Sequence, residues 1–169
     1  DAGMTRIGIV TSSTRPTRIG HHVAQWVATQ APEGVEVEPI DLRDLALPLL
    51  DEPEMPSSGK YAHEHTKRWA ALVDGVDAVV FVMPEYNRGY NAALKNAIDY
   101  LYAQWQGKPV ACVGYGWGGA QYARSALRQL KVEHAAIFLH HGAQGHRQQA
   151  HGLALALGRH AQDIVAPPF

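Results

Sequence analysis

Ala78-Val79-Val80-Phe81-Val82 is an unbroken apolar run, and Pro84-Glu85-Tyr86-Asn87-Arg88-Gly89-Tyr90-Asn91 follows it almost at once. An apolar run with no polar alternation reads as a strand buried on both faces, as in a parallel sheet. Beyond the polar stretch, Leu94, Ala97, Ile98, Leu101 and Tyr102 recur at i, i+3, i+4, i+7 and i+8, which is one face of a helix. Lys95 and Asp99 add an i, i+4 ion pair on its polar side. This strand, loop and helix unit repeats in both directions. Upstream, Arg6-Ile7-Gly8-Ile9-Val10 ends in Thr11-Ser12-Ser13-Thr14. A helix with Ile19, Val23, Trp26 and Val27 on one face comes next, closed by Pro32 and Gly34. Val35, Val37 and Ile40 mark the second strand, residues 41–60 a Pro-, Asp- and Ser-rich loop, and Tyr61 to Asp74 a helix carrying Trp69, Leu72 and Val73. Downstream, Val110 to Val113 is a strand, Gly114 to Gly119 a glycine-rich loop, and Ala123, Ala126, Leu127 and Leu130 the inner face of a helix. Ala135 to Leu139 reads as the fifth strand, and Leu153, Ala154, Leu157 and Ala161 as a last helix.

Alternation of this kind implies an α/β domain with a parallel sheet and helices on both faces. The 169 residues fit one domain, taken as 4–169 with Asp1-Ala2-Gly3 set aside ahead of Met4. A net charge of −1 gives no electrostatic case for nucleic acid or an anionic membrane, and it counts against an electron shuttle that docks through a face of one sign. No apolar run is long enough to span a bilayer, and no signal segment is visible. Cys112 is the single cysteine, so it has no internal disulfide partner; it reads as a small buried residue in a cytoplasmic protein.

In open parallel sheets, ligands sit beyond the carboxyl ends of the strands. The loops after the first, third and fourth strands therefore carry the functional reading. Thr11 to Gly20 combines hydroxyls, a helix start and two cations, Arg15 and Arg18, which suits a phosphate. The Walker spacing is missing, so nucleoside triphosphate hydrolysis is not expected. In the second loop, Tyr86 and Tyr90 offer flat faces, Asn87 and the backbone can hydrogen-bond a heterocycle edge, and Asn91 is placed to cap the next helix. Glu85 reads as a structural acceptor rather than an acid or base. Gly114, Gly116 and Gly119 imitate the dinucleotide fingerprint, but His140 stands after the next strand where an acidic ribose ligand is needed. Those glycines instead suit close approach to a planar ring, with Tyr115 or Trp117 stacking beside it. His140, His141, His146, His151 and His160 lack metal-site spacing, so no metal is expected.

Ser13-Thr14-Arg15-Pro16 with Arg18-Ile19-Gly20, Pro84-Glu85-Tyr86-Asn87 with Ala93 to Asp99, and Gly107-Lys108-Pro109-Val110 with Gly118-Gly119, Arg124 and Leu127-Arg128 together resemble the NADPH-dependent FMN reductase family, which includes quinone and azo reductases. The resemblance runs from about Met4 to Lys131, and two departures are Ser12 in place of a glycine and Asn91 in place of a proline. It implies a flavodoxin-like three-layer sandwich with a five-stranded parallel sheet in the order 2-1-3-4-5. It implies FMN as cofactor, with NADPH or NADH as co-substrate and a small electron acceptor. By this resemblance Ser13, Arg15, Arg18, Ile19 and Gly20 hold the phosphate. Pro84, Glu85, Tyr86 and Asn87 lie along the ring, and Gly116, Trp117, Gly118 and Gly119 meet its edge. A homodimer or homotetramer is implied, with no classical catalytic side chain. The alternatives are a reductase that releases reduced FMN to a partner monooxygenase, and a non-enzymatic electron carrier.

Overall fold

The structure is a computed structural model that describes residues 4–130 and the strand 137–139. Its strands are β1 (Thr5–Thr11), β2 (Val35–Asp41), β3 (Ala78–Tyr86), β4 (Gly89–Tyr90), β5 (Val110–Tyr115) and β6 (Ile137–Leu139). Its helices are α1 (Gly20–Thr29), α2 (Leu42–Leu45), α3 (Glu64–Asp74), α4 (Ala92–Asp99) and α5 (Gln121–Gln129). The main sheet runs β2-β1-β3-β5-β6 with every neighbouring pair parallel. These are the five expected strands in the expected order; the label changes because β4 adds a short sixth strand on the end of β3. The last helix expected around Leu153 to Ala161, and the histidines from His140 onward, lie outside the described residues.

The stretch expected to be a loop after Val82 is a hairpin instead. β3 continues to Tyr86, turns at Asn87 and Arg88, and returns as β4. Both turn residues have positive φ, 49° and 61°, the geometry whose twist matches two-residue hairpins. Asn tolerates that region well; Arg88 has no such preference, which is why the sequence hides the turn.

β3 is buried on both faces, as its apolar run requires. Val79, Phe81 and Met83 join the core beneath α3, α4 and α5, with Trp69, Leu94, Ala97, Ala123 and Leu127. Val80 and Val82 face the other way, with Ile7, Ile9 and Val113, and meet Val23 and Val27 of α1. Trp69 is fully buried, and its Nε1 donates to the Ala97 carbonyl at 2.8 Å, so α3 and α4 are locked together by its only polar atom. The i, i+4 pair expected on α4 is present, with Lys95 Nζ 2.6 Å from Asp99 Oδ2. Ile19 departs from expectation: it precedes the first helical residue and is 46% exposed rather than turned inward. α3 begins at Glu64, three residues later than the pattern suggests, and α4 ends at Asp99.

Candidate active site

Because β1, β3 and β5 are mutually parallel, the loops that follow them emerge at one end of the sheet. Side chains then bind the loops to each other. Ser12 is fully buried; its Oγ lies 2.9 Å from both Val82 O and Asn91 Oδ1, and Asn91 Nδ2 donates to Ser12 O at 2.7 Å. Asn91 was expected to cap α4, and no side-chain cap forms there, because its amide is spent on Ser12. A buried pair of this kind is costly to leave half made, so it fixes the first loop against the second. Ser13 Oγ and the Tyr86 hydroxyl approach to 3.2 Å across the same gap.

The third loop is tied in by Glu85. Its Oε2 accepts from the backbone N–H groups of Tyr122 and Ala123, both at 2.9 Å, which caps the start of α5. The carboxylate is therefore a structural acceptor, as the sequence reading has it. Glu85→Ala is expected to lower the unfolding free energy by about 1 kcal/mol, the usual cost of a lost helix cap, measured as a shift in urea midpoint at unchanged m. Gly116 and Gly119 adopt φ of 152° and 65°, which L side chains rarely take, so the turn between β5 and α5 depends on them. Arg88 stands over the Tyr122 ring at 4.9 Å and closes the outer side.

The first loop has the marks of an anion cradle. Among the described residues, the amide N–H groups of Ser13, Thr14, Arg15, Ile19 and Gly20 donate to no protein acceptor. α1 starts with no side-chain cap and no acidic residue in its first turn, so its positive end is uncompensated. That contrasts with α5, where Glu85 already fills the place. Arg15 is exposed, with only a long 3.4 Å contact to Thr17 Oγ1, and is available to a ligand. Arg18, expected beside it, is engaged elsewhere: its guanidinium grips Asp41 at 2.6 and 2.5 Å and donates to Ser13 O at 2.7 Å. That hydrogen bond to Asp41 holds the Arg18 pKa above its usual value. For Asp41, burial raises the carboxyl pKa, and the bonds from Arg18 and Arg43 outweigh it, leaving the net shift downward.

Tyr115 and Trp117 separate. Trp117 is fully exposed at the tip of its loop. Tyr115 points back toward the first loop, where its hydroxyl lies 2.6 Å from the position a Cβ on Gly20 would occupy. Any side chain at residue 20 meets that hydroxyl, so glycine is required there by close approach. Burial pushes the Tyr115 pKa up to about 12, with the neighbouring Tyr86 adding to it and Ser13, Arg18 and Arg15 opposing it. The hydroxyl is thus a neutral donor at working pH, beside the turn at Gly20. Pro84 is buried under the site and Asn87 sits exposed in the hairpin turn. The sequence reading did not connect Asp41 with the first loop, nor Ser12 with Asn91; Asp41 closes β2 in register with Thr11, a pairing that no local pattern reports.

Cys112 is 2% exposed, and burial pushes its pKa up to about 12, so it is an inert core thiol. No group of three or more His, Cys, Asp or Glu among the described residues is arranged to hold a metal ion.

The profile of the family described as NADPH-dependent FMN reductase matches residues 5–149, which include all three loops. The chain belongs to that family. An NAD(P)H-dependent FMN reductase of Schizosaccharomyces pombe is 40% identical over 129 residues, 74% of this chain and 64% of its own length. A quinone reductase of Pseudomonas putida is 35% identical over 134 residues, covering 75% of this chain and 69% of the relative. Among solved structures, the flavoenzyme NAD(P)H:(acceptor) oxidoreductase FerB of Paracoccus denitrificans superposes with a TM-score of 0.66 at 26% identity, covering 79% of this chain and 75% of that one. The family is one of FMN-dependent, NAD(P)H-using oxidoreductases, and the flavodoxin-like fold agrees with it.

Proposed function

We propose that this chain is an oxidoreductase that holds FMN across its three joined loops, takes hydride from NADPH or NADH, and passes it to a small acceptor. The acceptor is a quinone, an azo compound or free flavin, and the cycle is ping-pong. The observation that carries this reading is the pairing of an uncapped α1 start and free amides with Arg15, all joined to an aromatic and glycine-lined rim. A phosphate fits the first part, and a planar ring fits the second.

When bound, FMN supplies the hydride chemistry, which asks the protein for position rather than for a nucleophile. The residues divide that work. Ser13, Arg15, Ile19 and Gly20 hold the phosphate, and Tyr115 offers a neutral hydroxyl behind them. Pro84, Glu85, Tyr86 and Asn87 form the wall along the ring, stiffened by the Asn87-Arg88 hairpin turn. Gly116, Trp117, Gly118 and Gly119 line the edge. Tyr86 is 37% exposed, so its ring is available as a stacking surface for nicotinamide or acceptor. A ping-pong cycle is tested by steady-state kinetics with NADPH and a benzoquinone. Parallel double-reciprocal lines support it, and lines that intersect contradict it.

The assembly we propose is a homodimer or homotetramer, and the supporting feature is apolar. Leu49 is 81% exposed and Met55 75% exposed, on a segment fastened to α4 through Asn96, which donates to Pro48 O and accepts from Leu50 N–H. Anchored apolar side chains of that exposure suit burial against a second copy. Leu49→Asp with Met55→Asp is expected to lower the mass found by light scattering toward the monomer; an unchanged mass places the contact elsewhere. We assign the protein to the cytoplasm because its single thiol is free and buried. No helix among the described residues is long and apolar enough to cross a membrane.

A further inference from the structure

Arg18 is the most heavily committed side chain of the first loop. Both arms of its guanidinium fork are held by the two oxygens of Asp41, at 2.6 and 2.5 Å, and Nη1 also donates to the Ser13 carbonyl at 2.7 Å. The pair is largely shielded, with side-chain exposures of 10% and 23%. Asp41 is itself anchored: it closes β2 in register with Thr11 of β1, and its Oδ1 accepts the Arg43 N–H at the start of α2. One rigid point on the neighbouring strand thus holds Arg18, and Arg18 holds the carbonyl of Ser13.

A trans peptide is planar, so its C=O and N–H point in opposite directions. With the Ser13 carbonyl turned to Arg18, the Thr14 N–H of the same peptide must point the other way. Ser13, Thr14 and Arg15 are among the residues of this loop whose amides find no acceptor among the described residues. Asp41 also offsets the Arg18 charge at contact distance, so little of that charge is left for an external anion.

We propose that Asp41 is a positioning residue for the phosphate turn: it takes both arms of Arg18 so that Arg18 orients the Ser13–Thr14 peptide, leaving Arg15 as the cation that meets the phosphate. The inference rests on the flavin reading above and refines it. It removes Arg18 from direct contact and gives Asp41 a role through the backbone. Preorganising a short turn in this way raises affinity by removing the ordering cost from the binding step.

The test is equilibrium binding of FMN and of riboflavin, which lacks the phosphate, to the full chain and to Asp41→Asn. Asparagine keeps the volume and an acceptor for the Arg43 N–H but loses the charge and the two-armed grip. FMN dissociation is expected to rise about tenfold while riboflavin dissociation stays unchanged, so FMN preference falls by that factor. FMN affinity that is unchanged or tightened overturns the inference, because a released Arg18 would then be a phosphate ligand in its own right. Equal losses for both flavins also overturn it, since a general disturbance is not phosphate-selective. Should Asp41→Asn not fold, Asp41→Glu keeps the charge and shifts it by one methylene. It is expected to weaken FMN alone, and unchanged FMN affinity overturns the proposal. Wild-type protein that binds neither flavin contradicts the proposed function and takes this inference with it. Wild-type protein that binds FMN but loses no preference in the variants contradicts the inference alone.

Discussion

Gly118→Val is expected to empty the flavin site while leaving the fold intact. A Cβ built on Gly118 meets nothing nearer than Gln121 Nε2 at 3.8 Å, and the backbone there has no left-handed φ. The apoprotein therefore has room for a side chain at that position. Gly114, by contrast, has the Ala120 Cβ at 2.6 Å, so a side chain there would disturb packing whatever its effect on ligand. If the glycines of this loop admit a ring edge, the valine methyls fill the space it needs. A forced overlap costs up to about 3 kcal/mol, or roughly 100-fold in affinity. Binding titration with FMN and riboflavin should show loss of both, because the block lies at the ring and not at the phosphate. The thermal midpoint of the apoprotein should stay within experimental error of wild type. Unaltered flavin binding would mean that these glycines serve the backbone turn only.

Arg15→Ala is expected to act at the other end of the same ligand. Arg15 is the exposed cation of the first loop, and its one hydrogen-bond contact among the described residues is Thr17 Oγ1 at 3.4 Å, too long to matter for stability. Its removal should therefore leave the unfolding free energy nearly unchanged. A charge-assisted hydrogen bond to phosphate contributes about 1–3 kcal/mol, so FMN should bind roughly 5- to 150-fold more weakly. Riboflavin affinity should not change. The contrast between the two variants is diagnostic: valine at 118 loses both flavins, and alanine at 15 loses only the phosphorylated one. Equal FMN and riboflavin losses in Arg15→Ala would place that arginine at the ring, not at the phosphate. Higher salt should also weaken wild-type FMN binding more than that of Arg15→Ala, since screening acts on the charge removed.

Much of the fold was legible because its strongest signals are local. The apolar run at Ala78 to Val82 carries no polar alternation, so its two faces must both be covered, and Val79 and Phe81 pack into the core on one side of the sheet while Ala78, Val80 and Val82 pack on the other. The helical spacing around Leu94, Ala97 and Ile98 is equally local, and all three are buried. The β3–β4 hairpin escaped because its turn uses Asn87 and Arg88 where glycine is the common marker. The site was legible at the level of loops, since parallel strands bring their carboxyl ends together by topology alone. Its wiring was not. Ser12 with Asn91 and Arg18 with Asp41 are contacts between residues 79 and 23 positions apart, and no local pattern reports them. Tyr115 shows the same limit: its place in the glycine-rich loop suggests a ring contact, yet strand alternation sends its hydroxyl to Gly20.

The most direct test of the account is the visible spectrum of the purified full chain loaded with FMN, recorded before and after anaerobic addition of NADPH or NADH. The account predicts a bound-flavin band that bleaches in step with nicotinamide oxidation and returns when a quinone is added. A chain that takes up no FMN, or one whose bound flavin keeps its colour with either nicotinamide, would contradict it.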